Sequence, residues 1–295
     1  VTDNSDAFDV APQVLDDGSL LWQGWDGHDY EIYFQEPGQA PTQLTDNSSP
    51  DAMPQMNASG DLVWMNWDGV DWEVWYNLGS GPVQLTDNPS AYDVLPQITD
   101  DDLIYWQGWD GHDYEIYCYS EVIINNTTIR LTDQLTDNSL PDAAPQVNAS
   151  GQLTWMLYDG QDWEVCYDTG SGPVQFTDNS GQDLVPQITP ERQVYWQGWD
   201  GSDYEVCRYT IGSGVTENLT ENTVDDTYPS VNNGILVWSQ WDGHDWEIYL
   251  SPLSTGLTAR LTDDGENDHR PRLNASGQIV WMKWDGSDYE IYTYK

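Results

Sequence analysis

The stretch Trp22-Gln23-Gly24-Trp25-Asp26-Gly27-His28-Asp29-Tyr30-Glu31-Ile32-Tyr33 sets the architecture, because it recurs. Trp106–Tyr117 repeats it without a change. In the looser form Trp-x-x-Trp/Tyr-Asp-Gly-x-Asp-Tyr/Trp-Glu-Ile/Val it begins at Trp22, Trp64, Trp106, Trp155, Trp196, Trp238 and Trp281, about every 42 residues along a chain of 295. A repeat of that length marks an array of small units and outweighs the domain count that length alone suggests.

Around this phrase, each unit has the same order of parts. An Asp three residues before a Pro (Asp51 and Pro54, Asp142 and Pro145) opens a short alternating run, which Asn-Ala-Ser-Gly or Asp-Asp-Gly ends. Leu62-Val63-Trp64-Met65-Asn66-Trp67 is the second run, Asp68-Gly69 the next turn, and Trp72-Glu73-Val74-Trp75 the third run. A Gly/Ser/Pro linker then leads to Val83-Gln84-Leu85-Thr86-Asp87. Short β-branched and aromatic runs separated by Asp-Gly are strands in hairpins, and nothing has the 3.6-residue period of a helix. Four strands per unit and seven units predict an all-β protein: residues 1–295 as a single seven-bladed β-propeller of four-stranded antiparallel blades. Residues 120–134 are an insertion in blade 3, expected as surface loop. Val1-Thr2-Asp3-Asn4 aligns with Leu44-Thr45-Asp46-Asn47, so the amino terminus is expected to complete the last blade. Only Val1 and Thr2 stand where other units have about five residues, so that edge is expected to be partly open, and open edges template other chains.

Glu-Ile-Tyr after Asp-Gly, then Leu-Thr-Asp, then Asp-x-x-Pro, is similar to the TolB-like (WD-type) β-propeller repeat over essentially the whole chain. The resemblance implies the propeller fold and a role among periplasmic interaction proteins, peptidase lid domains or secreted repeat proteins. The chain departs from that pattern in its Asn-Ala-Ser-Gly turn, which replaces Ser-Pro-Asp-Gly, and in its scarcity of basic residues.

Composition narrows the partners. Eight Lys+Arg against 51 Asp+Glu give a net charge of -43, which repels nucleic acid and anionic membrane surfaces. The 17 Trp and 18 Tyr argue against disorder, the usual state of so acidic a chain. No apolar stretch approaches the ~18 residues of a membrane span, and Val1–Val10 does not read as a signal peptide, so no membrane insertion is expected. Cys118, Cys166 and Cys207 are too few and too odd in number for a disulfide framework. The acidity suggests a saline or calcium-rich setting, hence an extracellular or cell-surface location, with the periplasm as the alternative.

The acids recur with the unit. The candidate metal ligands are Asp26, Asp29 and Glu31 and their repeats Asp68, Asp71, Glu73; Asp110, Asp113, Glu115; Asp159, Asp162, Glu164; Asp200, Asp203, Glu205; Asp242, Asp245, Glu247; and Asp285, Asp288, Glu290. Period-2 geometry puts the second Asp and the Glu on one strand face beside the turn Asp. Hard oxygens so placed suit Ca²⁺, at one site per blade. The competing reading is that Asp serves only as a turn former, its carboxylate bonded to backbone N–H groups. Two further acidic positions recur: the pre-proline Asp9, Asp51, Asp93, Asp142, Asp183, Asp226 and Asp268, and the acids after Thr, Asp3, Asp46, Asp87, Asp137, Asp178, Glu221 and Asp263.

The first Trp of each phrase reads as packing between blades, with sugar stacking on exposed Trp as the alternative. His28, His112 and His244 fill the variable turn position and are expected to face solvent. Asn125 and Asn126, in the insertion, are the glycosylation candidates. Arg260, Arg270, Arg272, Lys283 and Lys295 gather near the carboxyl end and suggest a basic patch for head-to-tail self-association. No Gly-x-Ser-x-Gly, His-x-x-x-His or phosphate loop is present, and sevenfold copies of one environment suit binding better than catalysis, so no enzymatic activity is expected. The leading expectation is a non-enzymatic, Ca²⁺-stabilised extracellular structural or interaction propeller that assembles with itself into a multimer or filament, or binds another protein. A multivalent carbohydrate-binding propeller and a periplasmic TolB-like scaffold are the alternatives.

Overall fold

The computed structural model describes residues 1–2, 8–89, 91–125 and 127–295, and all its regular structure is β. The described residues form 27 strands in seven antiparallel sheets, each with its strands in chain order from one edge to the other. Blade 1 is Asp9–Val14, Leu20–Trp25, Tyr30–Gln35 and Thr42–Gln43. The first strands of successive blades contact one another all the way round, so they line the central axis, and the fourth strands lie outermost. No helix long and apolar enough to cross a membrane occurs among the described residues.

Both tight turns of a unit are closed by side chains. Asp26 Oδ1 accepts the N–H groups of His28 (2.7 Å) and Asp29 (3.1 Å), while Gly27 sits at φ 107°. Asn57 Oδ1 closes the turn between first and second strands in the same way, accepting from Ser59 (3.0 Å) and Asp61 (2.9 Å). These are Asx turns, for which Asp and Asn are the preferred residues.

Alternation gives each blade two apolar faces. Leu21 and Ile32 pack against Met56, Leu62 and Trp64 of blade 2, whereas Leu20 and Trp22 pack against Val280, Met282 and Ile291 of blade 7. The first Trp of the phrase is therefore a core residue, buried in all seven blades. Its indole N–H donates to the pre-proline Asp: Trp22 to Asp9 at 3.0 Å, Trp64 to Asp51 at 2.8 Å, Trp281 to Asp268 at 2.5 Å. Gly24 is required beside this pair, since a Cβ there would stand 2.4 Å from Asp9 Oδ1.

The ring closes through its amino terminus. Val1 N donates to Ile291 O at 2.7 Å and Ile291 N–H donates to Thr2 Oγ1 at 2.8 Å, as Leu44 N–H donates to Ile32 O (2.7 Å) and Ile32 N–H to Thr45 Oγ1 (2.9 Å) in blade 1. Among the described residues the sheet of blade 7 has three strands, Asp268–Leu273, Ile279–Trp284 and Tyr289–Tyr294, with Val1 and Thr2 beside the third. In blade 3 the expected surface loop is a continuation of the outer hairpin: Tyr114–Ile124 pairs with Thr127–Gln134.

The expected basic patch is not formed. Arg260 is bound among acids, Lys283 pairs with Asp264, Arg270 lies on the Tyr228 ring, and Arg272 faces the axis. Arg260 and Lys283 are thus paired with acids, Arg270 and Arg272 are neighbours on the first strand of blade 7, and Lys295 borders a groove with Asp17, Pro37 and Ser276, so the five cations do not share one patch.

Candidate metal centres at the blade turns

The Asp-Gly turn and the strand after it place three acids close together, and strand pairing brings in a fourth. Carboxylate oxygens lie within 4.8 Å of one another in the sets Asp26/Glu31/Asp46, Asp68/Asp71/Glu73, Asp110/Asp113/Glu115, Asp159/Glu164/Asp178 and Asp200/Asp203/Glu205. Ligands on a single Ca²⁺ at about 2.3–2.6 Å can stand no more than about 5 Å apart, so each set can share one ion. The acids after Thr, Asp46 and Asp178, are members that sequence reasoning left out of the ligand sets. Only the pairing of third and fourth strands, as in Tyr33↔Gln43, brings them to the turn. Asp3 and Asn126 lie outside the described residues; Asn125 is exposed at the tip of the blade-3 hairpin. His28, His112 and His244 point into solvent.

Each acid has a distinct environment. The turn Asp is a backbone acceptor in all seven blades, down to Asp285 with Ser287 (2.8 Å) and Asp288 (3.1 Å). Those bonds hold the carboxyls of Asp26, Asp68 and Asp110 below the ordinary range. Turn forming and metal binding are compatible here, because only Oδ1 is used by the backbone. The strand Glu is fully buried: Glu31 Oε1 accepts the Asn47 N–H at 2.9 Å, and the same bond recurs through Glu247 and Asp264 at 3.0 Å. Its other oxygen has no hydrogen-bond partner in Glu31, Glu73, Glu115, Glu164, Glu205 and Glu247. Oδ1 of the neighbouring Asp29, Asp71, Asp113, Asp162, Asp203 and Asp245, at most 7% exposed, is likewise unpartnered. Burial pushes Glu31, Glu73 and Glu164 up to about 7, and raises Asp29, Asp113, Asp203 and Asp245. Buried carboxylate oxygens without donors carry the full cost of desolvation, which a cation would relieve.

Blade 6 contains such a cation. The Arg260 guanidinium lies 2.8 Å from Asp242 Oδ2, 2.5 Å from Glu247 Oε1 and 3.0 Å from Asp263 Oδ1. Opposite the same third-strand position, blades 1–5 carry Gln43, Gln84, Gln134, Gln175 and Asn218, which bring no charge.

No protein-family model matches the chain, and no curated protein matches its sequence. Solved structures do. A puromycin-hydrolysing peptidase of Mycobacterium tuberculosis matches over 98% of this chain at 15% identity and TM-score 0.77. The fold is shared with TolB. TolB of Acinetobacter baumannii matches 82% of the chain at 14% identity and TM-score 0.59, and the β-propeller domain of the Trilobed protease of Pyrococcus furiosus matches 98% at 10% identity and TM-score 0.70. The chain spans 51% of the peptidase, 62% of that TolB and 95% of the protease domain. At these identities the likeness is one of fold. It also corrects the expectation of no enzymatic activity: this chain matches half of a puromycin-hydrolysing peptidase, so a propeller of this kind can be part of an enzyme. The absence of nucleophile and phosphate-loop motifs from these 295 residues therefore does not exclude enzymatic function.

Proposed function

We propose that this chain is an interaction propeller whose blades are braced by Ca²⁺, held at the turns by the Asp-Gly-x-Asp-x-Glu acids together with the acid after Thr. The observation that carries the reading is Arg260: blade 6 supplies its own cation to a cluster whose buried Glu and Asp oxygens are unpartnered there as in blades 1–5, and which has no Arg or Lys in those five blades. In blade 1 Asp26, Asp29, Glu31 and Asp46 would be the ligands, with waters or carbonyls completing a shell of six to eight oxygens. Such sites favour a calcium-rich setting, outside the cell or in the periplasm, where a scaffold of this fold would bind another protein.

The test is calorimetric titration of the chelator-treated chain with Ca²⁺, with Tm followed in parallel. Saturation should stabilise by about 2.7 kcal/mol per site at 100-fold excess over Kd, well beyond NaCl at matched ionic strength. Arg260→Gln, which gives blade 6 the residue of blade 1, should add one bound ion per chain. A Ca²⁺ effect no larger than that of NaCl would reduce the acids to turn formers.

A second reading has one observation of its own. Trp25, Trp109 and Trp199 are 38%, 40% and 38% exposed and stand edge-on to Tyr30, Tyr114 and Tyr204. Half-exposed indoles repeated round a ring are suited to stacking on sugars, and quenching of Trp fluorescence by oligosaccharides would detect it.

A further inference from the structure

Arg272 stands on the first strand of blade 7, Asp268–Leu273, at the position that Gln occupies in blades 1–5 (Gln13, Gln55, Gln97, Gln146, Gln187) and Ser230 in blade 6. Where that residue is Gln, it can clamp the next blade: Gln13 exchanges hydrogen bonds with the Met56 N–H (2.9 Å) and C=O (3.0 Å), and Gln187 with those of Val231. Arg272 makes no hydrogen bond or ion pair among the described residues. Its side chain borders an axial cavity of about 80 Å³ shared with Ala144, Gln146, Val185, Gln187 and Pro229. No acid lines that cavity, although the chain carries 51. A second guanidinium, Arg270, lies two residues away, held against Tyr228 by a 3.1 Å bond to its hydroxyl and by its ring at 4.7 Å.

Arg272 is half-buried with no counter-charge beside its guanidinium, which is costly, and burial together with Arg270 lowers its pKa from the ordinary value. Arg stays charged under nearly all conditions, so an anion is what relieves the cost. The cavity is several times the roughly 10–15 Å³ that one water needs, enough for a small planar group. The carboxamides of Gln146 and Gln187 each have a second N–H beyond the one bonded to backbone. We propose that the axis of the propeller is an anion site in which the Arg272 fork binds a carboxylate, with Arg270 as the adjoining positive charge. The site stands apart from the turn acids and does not depend on Ca²⁺ being bound there.

The carboxylate could be a free small acid or the end of a peptide, and the experiment separates the two. Calorimetry of the full chain would use acetate, Gly-Gly-Gly and Gly-Gly-Gly amide, each against chloride at the same ionic strength. Binding of acetate or of the free-acid peptide, weakened at least tenfold by Arg272→Gln, is the expected result; a preference for the peptide over acetate assigns the site to a chain terminus. Gln is the residue five other blades hold there, so this variant should fold. If it does not, Arg272→Lys tests the same point, because it keeps the charge and loses the bidentate fork. No binding beyond that of chloride, equal binding of the amide, or binding unchanged by a folded Arg272 variant would overturn the proposal.

Discussion

Asp51 holds three donors at once: Trp64 Nε1 and Asn66 Nδ2 at 2.8 Å on Oδ1, and Asn47 Nδ2 at 2.7 Å on Oδ2, with no exposure to solvent. Asp51→Ala would leave the two buried donors of Trp64 and Asn66 unsatisfied, while the exposed Asn47 can turn to water, and at about 1–3 kcal/mol for each orphaned group the loss should be about 3 kcal/mol after relaxation. Thermal unfolding would read it as a clear fall in Tm; a fall no larger than that of an exposed Asp16→Ala control would contradict this role. His269 gives a pH-dependent counterpart. It lies against Trp246, 5.0 Å between rings, opposite Met282 and beside Arg270; burial and then Arg270 push it from 6.5 down to about 4. The folded chain thus resists protonating it, while the unfolded chain takes the proton near pH 6.5. Its stabilising contribution is complete above pH 6.5 and is lost as pH falls towards 4, of order 2 kcal/mol. His269→Phe should remove that part of the slope between pH 6.5 and 4, measured by denaturant melts at each pH. An unchanged slope would mean that the imidazole titrates as it does in water.

At the level of strands and turns, the sequence was most legible where local chemistry is decisive. Asp-Gly between aromatic runs places the hairpin of second and third strands in every blade, and alternation places Trp22 and its repeats between blades. The first strand was less legible. Ala11, Met53, Leu95, Ala144, Val185, Tyr228 and Arg270 all adopt φ near 53°, each directly before a Pro, at a bulge in the pairing with the second strand. Residues before Pro ordinarily avoid helical conformations of either hand, so nothing local announces the bulge. It is held from the neighbouring blade, where Gln197 Oε1 accepts the Tyr228 N–H at 3.0 Å and Ser239 Oγ accepts that of Arg270 at 3.1 Å. The metal clusters were half legible for a related reason. The three acids of the turn are neighbours in sequence, but Asp46 reaches Glu31 only across a strand pair, and the meeting of Arg260 with Glu247 needs the same pairing. The turn itself can be tested. Gly69 has φ 103°, and a Cβ added there would meet no neighbour within 4 Å, so Gly69→Ala meets backbone strain alone. It should cost about 1–2 kcal/mol and weaken Ca²⁺ binding at blade 2 by displacing Asp68 and Asp71. Loss of stability with unchanged cation stoichiometry and affinity would separate the turn from the site.

For the whole molecule, the balance lies between apolar burial, which every blade shares with two neighbours, and a charge of -43 that works against compactness. Closure through Val1 and Thr2 matters to this balance. A ring has no terminal blade from which to unravel, so blades should unfold together, whereas an open array of repeats can fray from its ends. Repulsion among the acids is then a property of the ring and falls on its total stability. With divalent cations removed by chelator, raising NaCl from about 0.1 to about 1 M shortens the screening length from about 10 to about 3 Å and should raise Tm while keeping one cooperative transition. Arg260→Gln takes away a cation that touches three carboxylates, so its Tm should be lower at the low-salt end and should climb more steeply with salt. Saturating Ca²⁺ should flatten both curves, since an ion seated among the carboxylates replaces what diffuse screening supplies. If Tm is indifferent to NaCl in the chelated protein, the acids are far enough apart, or protonated enough, to coexist without help. The cation requirement inferred from Arg260 would then be confined to blade 6.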